Sequence, residues 1–353
     1  MRDSNPNVRR AIGVASLFCA ALTLALGQQT ARFEITPSTA LIDEPFRIAL
    51  TGVPPGRDVT INVDGNNGLW QSTATFKSNV QGNLDIADPM RLIWSATGQR
   101  PATPMATPAQ PWTFTAAIDG KVVATQTIMR RAFAQGVRIV PVRERGLVAM
   151  AYSPAQSGRH PAIIVLPGSQ GGLPGPAGHA GGLASRGYFV LALAYFNAEG
   201  LPALLQNVPL EYFATAVEWL KAQPLVDPEH LGVLGTSRGG ELALLLGATY
   251  PSTFQAVVAN VPSSVVWPGL SDDSPAPAWT LGGKPVAAMQ ARFSTADLAL
   301  SGRDRFLKRM QDRDAVRRAE IPVERIQAPL LMFSGKDDQL WPCLLYTSPS
   351  PRD

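Results

Sequence analysis

The stretch His230-Leu-Gly-Val-Leu-Gly-Thr-Ser-Arg-Gly-Gly-Glu-Leu-Ala-Leu-Leu-Leu-Gly-Ala248 decides how the chain folds. Leu231 to Leu234 is a short apolar strand, Gly235 to Gly239 a tight turn, and an apolar helix follows. A G-x-S-x-G turn between strand and helix lifts its serine above the strand end and exposes the hydroxyl. Gly235 and Gly239 flank Ser237 because such a turn crowds its neighbours and leaves no space for a Cβ. The next amide, Arg238 N–H, is then aimed at a developing oxyanion. A bare G-x-S-x-G match is common by chance, but the strand before it and the helix after it mark Ser237 as a candidate nucleophile.

Outward from this turn, apolar strands alternate with helical stretches. Val137 to Val142 and Leu147 to Tyr152 read as a hairpin, and Ala162 to Leu166, Tyr188 to Ala194, Ala256 to Ala259 and Pro329 to Phe333 as further strands. Such alternation predicts a mostly parallel, doubly wound sheet with helices on both faces over residues 136–342, the α/β hydrolase arrangement. The serine turn falls at the carboxyl end of a strand, where open α/β sheets place their ligands. Residues 28–135 read differently. Apolar and polar residues alternate in Phe46 to Leu50, Val59 to Val63, Trp112 to Ala116 and Val122 to Gln126, with turn signals at Pro54-Pro55-Gly56, Asp64-Gly65-Asn66 and Asp119-Gly120. That spacing predicts an all-β, immunoglobulin-like sandwich with a long loop from Thr97 to Pro111 and no helix. It has no histidine and its acids sit in turns, so the chemistry lies elsewhere.

A serine hydroxyl needs a base, a group that orients the base and a second oxyanion donor. The donor should come from the loop after an earlier strand. Leu166-Pro-Gly-Ser-Gln-Gly-Gly172 follows Ile163-Ile164-Val165 and offers the Ser169 N–H, with Gln170 as the neighbouring choice. The acid should follow the serine. Leu330-Leu-Met-Phe-Ser-Gly-Lys-Asp-Asp338 ends a strand in two aspartates, of which Asp338 is preferred to Asp337. The base is missing: His160, His179 and His230 all precede Ser237, and none is in the order the triad requires. Between serine and acid, Pro262 to Ser294 carries Trp267, Trp279, Asp272 and Asp273, a segment that reads as a lid or as a packing excursion.

Composition and ends bound the rest. At 353 residues with a net charge of +4 the chain holds a sizeable core and no clustered basic stripe, so nucleic acid is not an expected partner. Residues 1–27 read as a secretory signal: Arg9 and Arg10, an apolar run from Ala11 to Leu26, and Ala25-Leu26-Gly27 at the cleavage positions. This places the mature chain outside the cytoplasm, with no membrane span after signal removal. Cys343-Leu-Leu-Tyr-Thr-Ser-Pro-Ser-Pro-Arg-Asp353 breaks the preceding pattern and resembles a translated sequencing adapter. On that reading native sequence stops near Pro342, before a last strand and helix, and residues 343–353 are foreign. Both cysteines, Cys19 and Cys343, then fall outside the fold, leaving no thiolate metal site; neither a metal nor another cofactor is expected.

Several of these motifs together resemble the acyl-CoA thioesterase / bile acid-CoA:amino acid N-acyltransferase family from about Phe33 to Pro342. Ile35-Thr-Pro-Ser, Asp43-Glu-Pro-Phe-Arg-Ile48 and Asp88-Pro-Met-Arg-Leu-Ile-Trp94 look like its N-terminal motifs. Ala192-Leu-Ala-Tyr-Phe-Asn197, Leu210-Glu-Tyr-Phe213, the Ser237 turn, Ile321 to Leu330 and Ser334 to Trp341 are similar to its catalytic half. The resemblance implies a Ser–Asp–His triad in which a thioester acylates Ser237 and water releases the acid. Members that transfer the acyl group to amino acids carry Cys at the elbow, so Ser237 favours hydrolysis. The expected substrate is a small-molecule acyl thioester or ester, and the chain lacks the triad His and should be inactive as it stands. The alternatives are an exported carboxylic ester hydrolase, an acyl-CoA:amino acid N-acyltransferase, and an exported binding module.

Overall fold

The computed structural model describes residues 30–98, 109–270, 276–289, 297 and 299–340. Residues 1–27, read above as an export signal, residues 343–353, read above as a foreign tail, and Asp272 and Asp273 lie outside the described residues.

Alternation in the first hundred residues becomes two packed sheets. One holds Arg32–Thr36, Arg47–Thr51 and Leu84–Asp85. The other runs in the order Thr39–Leu41, Lys121–Arg131, Ala109–Ile118, Asp58–Gly65, Trp70–Lys77 and Thr97–Gly98. Because side chains alternate across a strand, Phe33, Ile35, Ile48 and Leu50 of the first sheet meet Val59, Ile61, Val63 and Phe114 of the second in one core. The Phe46 ring meets Phe114 edge to face at 5.8 Å. Two expectations need correction. Met90–Trp94 is a one-turn helix that buries Met90, Leu92 and Ile93, too short for a helical period to show in sequence. The two ends of the supposed loop from Thr97 to Pro111 belong to strands: Thr97 and Gly98 pair with Gln71 and Trp70, and Pro111 with Met129.

The second unit contains, in chain order, β1 (Arg138–Val142), β2 (Val148–Ser153), β3 (His160–Leu166), α1 (Pro174–Ala184), β4 (Phe189–Ala194) and α2 (Glu211–Lys221). There follow β5 (Val226–Thr236), α3 (Arg238–Thr249), β6 (Ala256–Asn260), α4 (Gly302–Arg309), α5 (Arg313–Ala319) and β7 (Leu330–Phe333). They form a seven-stranded sheet in the order β1-β2-β4-β3-β5-β6-β7. β1 and β2 make the antiparallel hairpin, β2 joins β4 antiparallel, and every other pair is parallel. All six residues of β4 are buried, as a central strand covered on both faces requires. Val190 and Ala192 face α1 through Ala180 and Ala184, while Leu191 and Leu193 join the core that holds Phe213 of α2 and Leu242 and Leu246 of α3. The chain turns back on itself at β3, which has β4 on one side and β5 on the other, so a crevice opens beyond the carboxyl ends of β3 and β5. The two units touch where Arg186, just past α1, pairs with Asp43 at 3.0 Å and the Ala134 N–H donates to Ser185 Oγ at 2.7 Å.

Among the described residues β7 is the sheet edge, and it is apolar. Leu331 and Phe333 are 52% and 54% exposed. Flat apolar edges template pairing with other chains. Replacing both residues with Lys is expected to raise the monomeric fraction in sedimentation while leaving the melting temperature within a few degrees, since neither side chain fills the core.

Candidate active site

Ser237 sits between β5 and α3 with φ 57° and ψ −116°, in the left-handed half of backbone space that side chains other than glycine rarely enter. Two backbone hydrogen bonds fix that strain: the Ser237 N–H donates to Asn260 O at 2.8 Å, and its carbonyl accepts from Glu241 N at 2.9 Å. The flanking glycines are required by sterics. A methyl on Gly235 would lie 1.9 Å from Gly239 O, and one on Gly239 would lie 2.4 Å from Pro167 O and 2.7 Å from Leu166 O. Gly240, which the sequence reading did not single out, is equally constrained: its methyl would come within 2.8 Å of Asn260 O. All these obstacles are backbone atoms. Gly239→Ala is therefore expected to cost about 3 kcal/mol or more in urea unfolding, at the upper end of overpacking penalties.

The loop after β3 lies against this elbow. A methyl on Gly168 would sit 3.4 Å from Ser237 Cβ and 3.1 Å from Thr236 O. Gly171 N–H donates to Gly168 O at 3.0 Å, closing a turn whose central residues are Ser169 and Gln170. Both are solvent-exposed, and among the described residues neither their N–H groups nor that of Arg238 has an acceptor. The Gly168 turn thus lies directly against the Ser237 elbow, with the Ser169 and Gln170 N–H groups unpaired among the described residues.

Asp338 lies in the loop after β7, at the same carboxyl edge of the sheet as Ser237 and two strands across. Its Oδ1 accepts the Leu340 N–H at 2.9 Å, and its own N–H donates to Gly335 O. The loop rests on the start of α4, where Arg303 N donates to Gln339 O at 3.2 Å. Asp338 is partly buried, whereas Asp337 is exposed. The histidines are elsewhere. His160 starts β3 and contacts Gln156 O at 3.0 Å, His179 lies on α1, and His230 pairs with Asp227 at 2.8 Å near the opposite end of β5. His160 is buried.

Beneath the elbow lies a charge pair that sequence reasoning missed. Arg238 was singled out for its amide alone, yet its side chain is buried and donates to Glu241 Oε2 at 2.9 Å and to Trp267 O and Pro268 O at 2.9 and 3.0 Å. Glu241 Oε1 accepts from Trp279 Nε1 at 3.1 Å and Trp267 N at 3.3 Å. Arginine in the elbow with an acid three residues on, one helical turn away, is the signal that could have found the pair. For the two tryptophans of the 262–294 segment the packing alternative holds. Trp267 and Trp279 are buried packing residues that tie the segment after β6 to α3, and Trp279 stacks among Tyr195 and Phe213.

Burial pushes the Glu241 carboxyl up to about 7, against the opposing pull of Arg238 and the two N–H donors. Its native form thus holds a proton more tightly than the unfolded chain, whose carboxyl titrates near 4.5. The stability this group adds is complete below about pH 4.5 and is lost as pH rises through about 7. The melting temperature is expected to fall across that window and Glu241→Gln to flatten the profile, as calorimetry at several pH values would show.

Sheet order and the strained serine between strand and helix define the α/β-hydrolase fold. The comparisons carry this further. The family described as "BAAT / Acyl-CoA thioester hydrolase C terminal" matches residues 208–350, and "Acyl-CoA thioester hydrolase/BAAT N-terminal region" matches residues 43–144. Acyl-coenzyme A thioesterase 1 of Rattus norvegicus is 30% identical over 331 residues, covering 87% of this chain and 76% of that protein. Acyl-coenzyme A thioesterase 2, mitochondrial, of Mus musculus is 31% identical over 330 residues, covering 86% and 70%. Acyl-coenzyme A amino acid N-acyltransferase 1 of Mus musculus is 30% identical over 338 residues, covering 86% and 77%. The chain belongs to the acyl-CoA thioester hydrolase/BAAT family.

Proposed function

We propose that this chain is built to hydrolyse acyl thioesters through an acyl-Ser237 intermediate. Ser237 Oγ attacks the thioester carbonyl while the Arg238 N–H and the Ser169 or Gln170 N–H receive the oxyanion; the thiolate leaves, and water then releases the acid. Asp338 is the group that orients the base. The base itself is absent: every histidine precedes Ser237 in the sequence and none of the three belongs to the carboxyl edge. The chain as given should therefore bind substrate and turn it over at no more than a residual rate. The observation that carries the reading is the strained Ser237 backbone against the Gly168 loop. The names of the thioesterase relatives support the thioester; serine at the elbow supports water over an amine as acceptor. The signal reading of residues 1–27 places the protein outside the cytoplasm, and the sandwich at 28–135 and catalytic unit at 136–342 are proposed as separate domains.

Added imidazole tests this. It is expected to restore slow, saturable hydrolysis of an acyl-CoA, faster than that of the matched nitrophenyl ester relative to solution rates, with no amide formed from glycine or taurine. Ester hydrolysis with no thioester advantage would instead favour an exported carboxylic ester hydrolase, and amide formation an N-acyltransferase.

A further inference from the structure

The loop that carries the second oxyanion donor is held by three consecutive residues at the end of β4. Tyr195 is buried, and its hydroxyl donates to Pro167 O at 2.7 Å. Phe196 O accepts the Gly172 N–H at 2.9 Å. Asn197 stands at φ 52° and donates through Nδ2 to Gln170 O at 2.7 Å, while its own N–H donates to Pro202 O at 2.7 Å. Contacts therefore fall on residues 167, 170 and 172, around the turn closed by Gly168 and Gly171.

A carbonyl held by a hydrogen bond fixes the plane of its peptide. Tyr195 fixes the peptide between Pro167 and Gly168, and Asn197 the one between Gln170 and Gly171. The Ser169 and Gln170 N–H groups lie between these two fixed planes and carry no acceptor of their own among the described residues. Without the clamps, only the Gly168–Gly171 bond and the Gly172 anchor would hold the turn, in a stretch containing three glycines. The spacing also leaves little slack: a methyl on Gly171 would lie 2.8 Å from the Phe196 ring and 2.9 Å from Asn197 Cβ. Tyr195 in turn packs on Trp279 at 5.4 Å, whose Nε1 donates to Glu241 beside Arg238. Both walls of the oxyanion site thus share one support.

We infer that Tyr195 and Asn197 are positioning residues that aim the Ser169 and Gln170 amides at the oxyanion by holding the carbonyls of Pro167 and Gln170. This rests on the reading of Ser237 as the nucleophile and of these amides as oxyanion donors. Phe196 acts through its backbone and is not a target for substitution.

Two variants isolate the donors. Tyr195→Phe removes one hydroxyl and keeps the ring; Asn197→Asp keeps size and tolerance of positive φ and removes the Nδ2 donor. Binding is measured to an alkyl boronic acid, whose tetrahedral adduct with Ser237 places an oxygen at the oxyanion position, and to a thioether analogue of an acyl thioester, which has no such oxygen. Each variant is expected to weaken the boronate about tenfold, the equivalent of about 1.4 kcal/mol, while thioether affinity changes less than twofold. Equal weakening of both ligands, or of neither, would overturn the positioning role. Hydrogen exchange at the Gly171 and Gly172 amides is expected to rise in both variants, and exchange unchanged from the parent chain would show that the clamps do not hold the loop. If the parent chain forms no boronate adduct on Ser237, the nucleophile reading fails, and the exchange result alone decides the clamp.

Discussion

Ser237→Ala is expected to reduce imidazole-assisted thioester cleavage to the uncatalysed background. Removing the nucleophile of a serine hydrolase costs on the order of 10⁶ in kcat where the triad is complete. The effect here is bounded by how much rate imidazole restores, so the readout is the disappearance of the imidazole-dependent part. The variant should fold normally, because the hydroxyl makes no hydrogen bond to the described residues and the strain at φ 57° is held by backbone partners. Alanine at this φ adds little to the cost already borne by serine, so a melt close to that of the parent chain is part of the expectation. Loss of activity together with loss of fold would not support a nucleophile.

Arg238→Ala is expected to destabilise the chain by about 3–5 kcal/mol in urea unfolding, the usual cost of removing one partner of a buried pair. The arginine is enclosed; two of its three hydrogen bonds join α3 to the segment at 267–268 and the third holds Glu241 one turn along the helix. Without it Glu241 is a fully buried carboxyl with only two neutral N–H donors. Arg238→Met combined with Glu241→Gln should recover part of that loss, because the uncharged amide oxygen still accepts from Trp267 and Trp279. If the double variant is no better than Arg238→Ala, the cost lies in the arginine's links to Trp267 and Pro268 and not in the unpaired carboxyl. In every case the Arg238 N–H remains, so a variant that folds should still bind the boronate.

The elbow was legible because its requirements are local. Gly235, Ser237 and Gly239 are adjacent in sequence, and the crowding that selects the glycines comes mainly from the turn itself and the neighbouring strand. The two layers of the sandwich were legible for the same reason, since alternation in Phe46 to Leu50 of one sheet and Val59 to Val63 of the other directly encodes which face is buried. Apart from the local Arg238–Glu241 pair, what escaped depends on partners far along the chain. Arg238 meets Trp267 and Pro268, and Glu241 meets Trp279, 38 residues on. Tyr195 reaches Pro167, 28 residues back, and Asn197 reaches Gln170, 27 back. No local pattern reveals such pairings. Trp267 and Trp279 were ambiguous because an aromatic in an irregular segment looks the same whether it covers a ligand or fills a core. The helix Met90–Trp94 was invisible because one turn is too short to establish a period.

The most direct test is covalent. The chain is incubated with an acyl thioester and imidazole, quenched in acid, and read by intact-mass and peptide mass spectrometry. The account predicts one acyl group, carried by Ser237 and absent from the Ser237→Ala variant. An acyl group on any other residue, an equal yield in Ser237→Ala, or no adduct at all would contradict it.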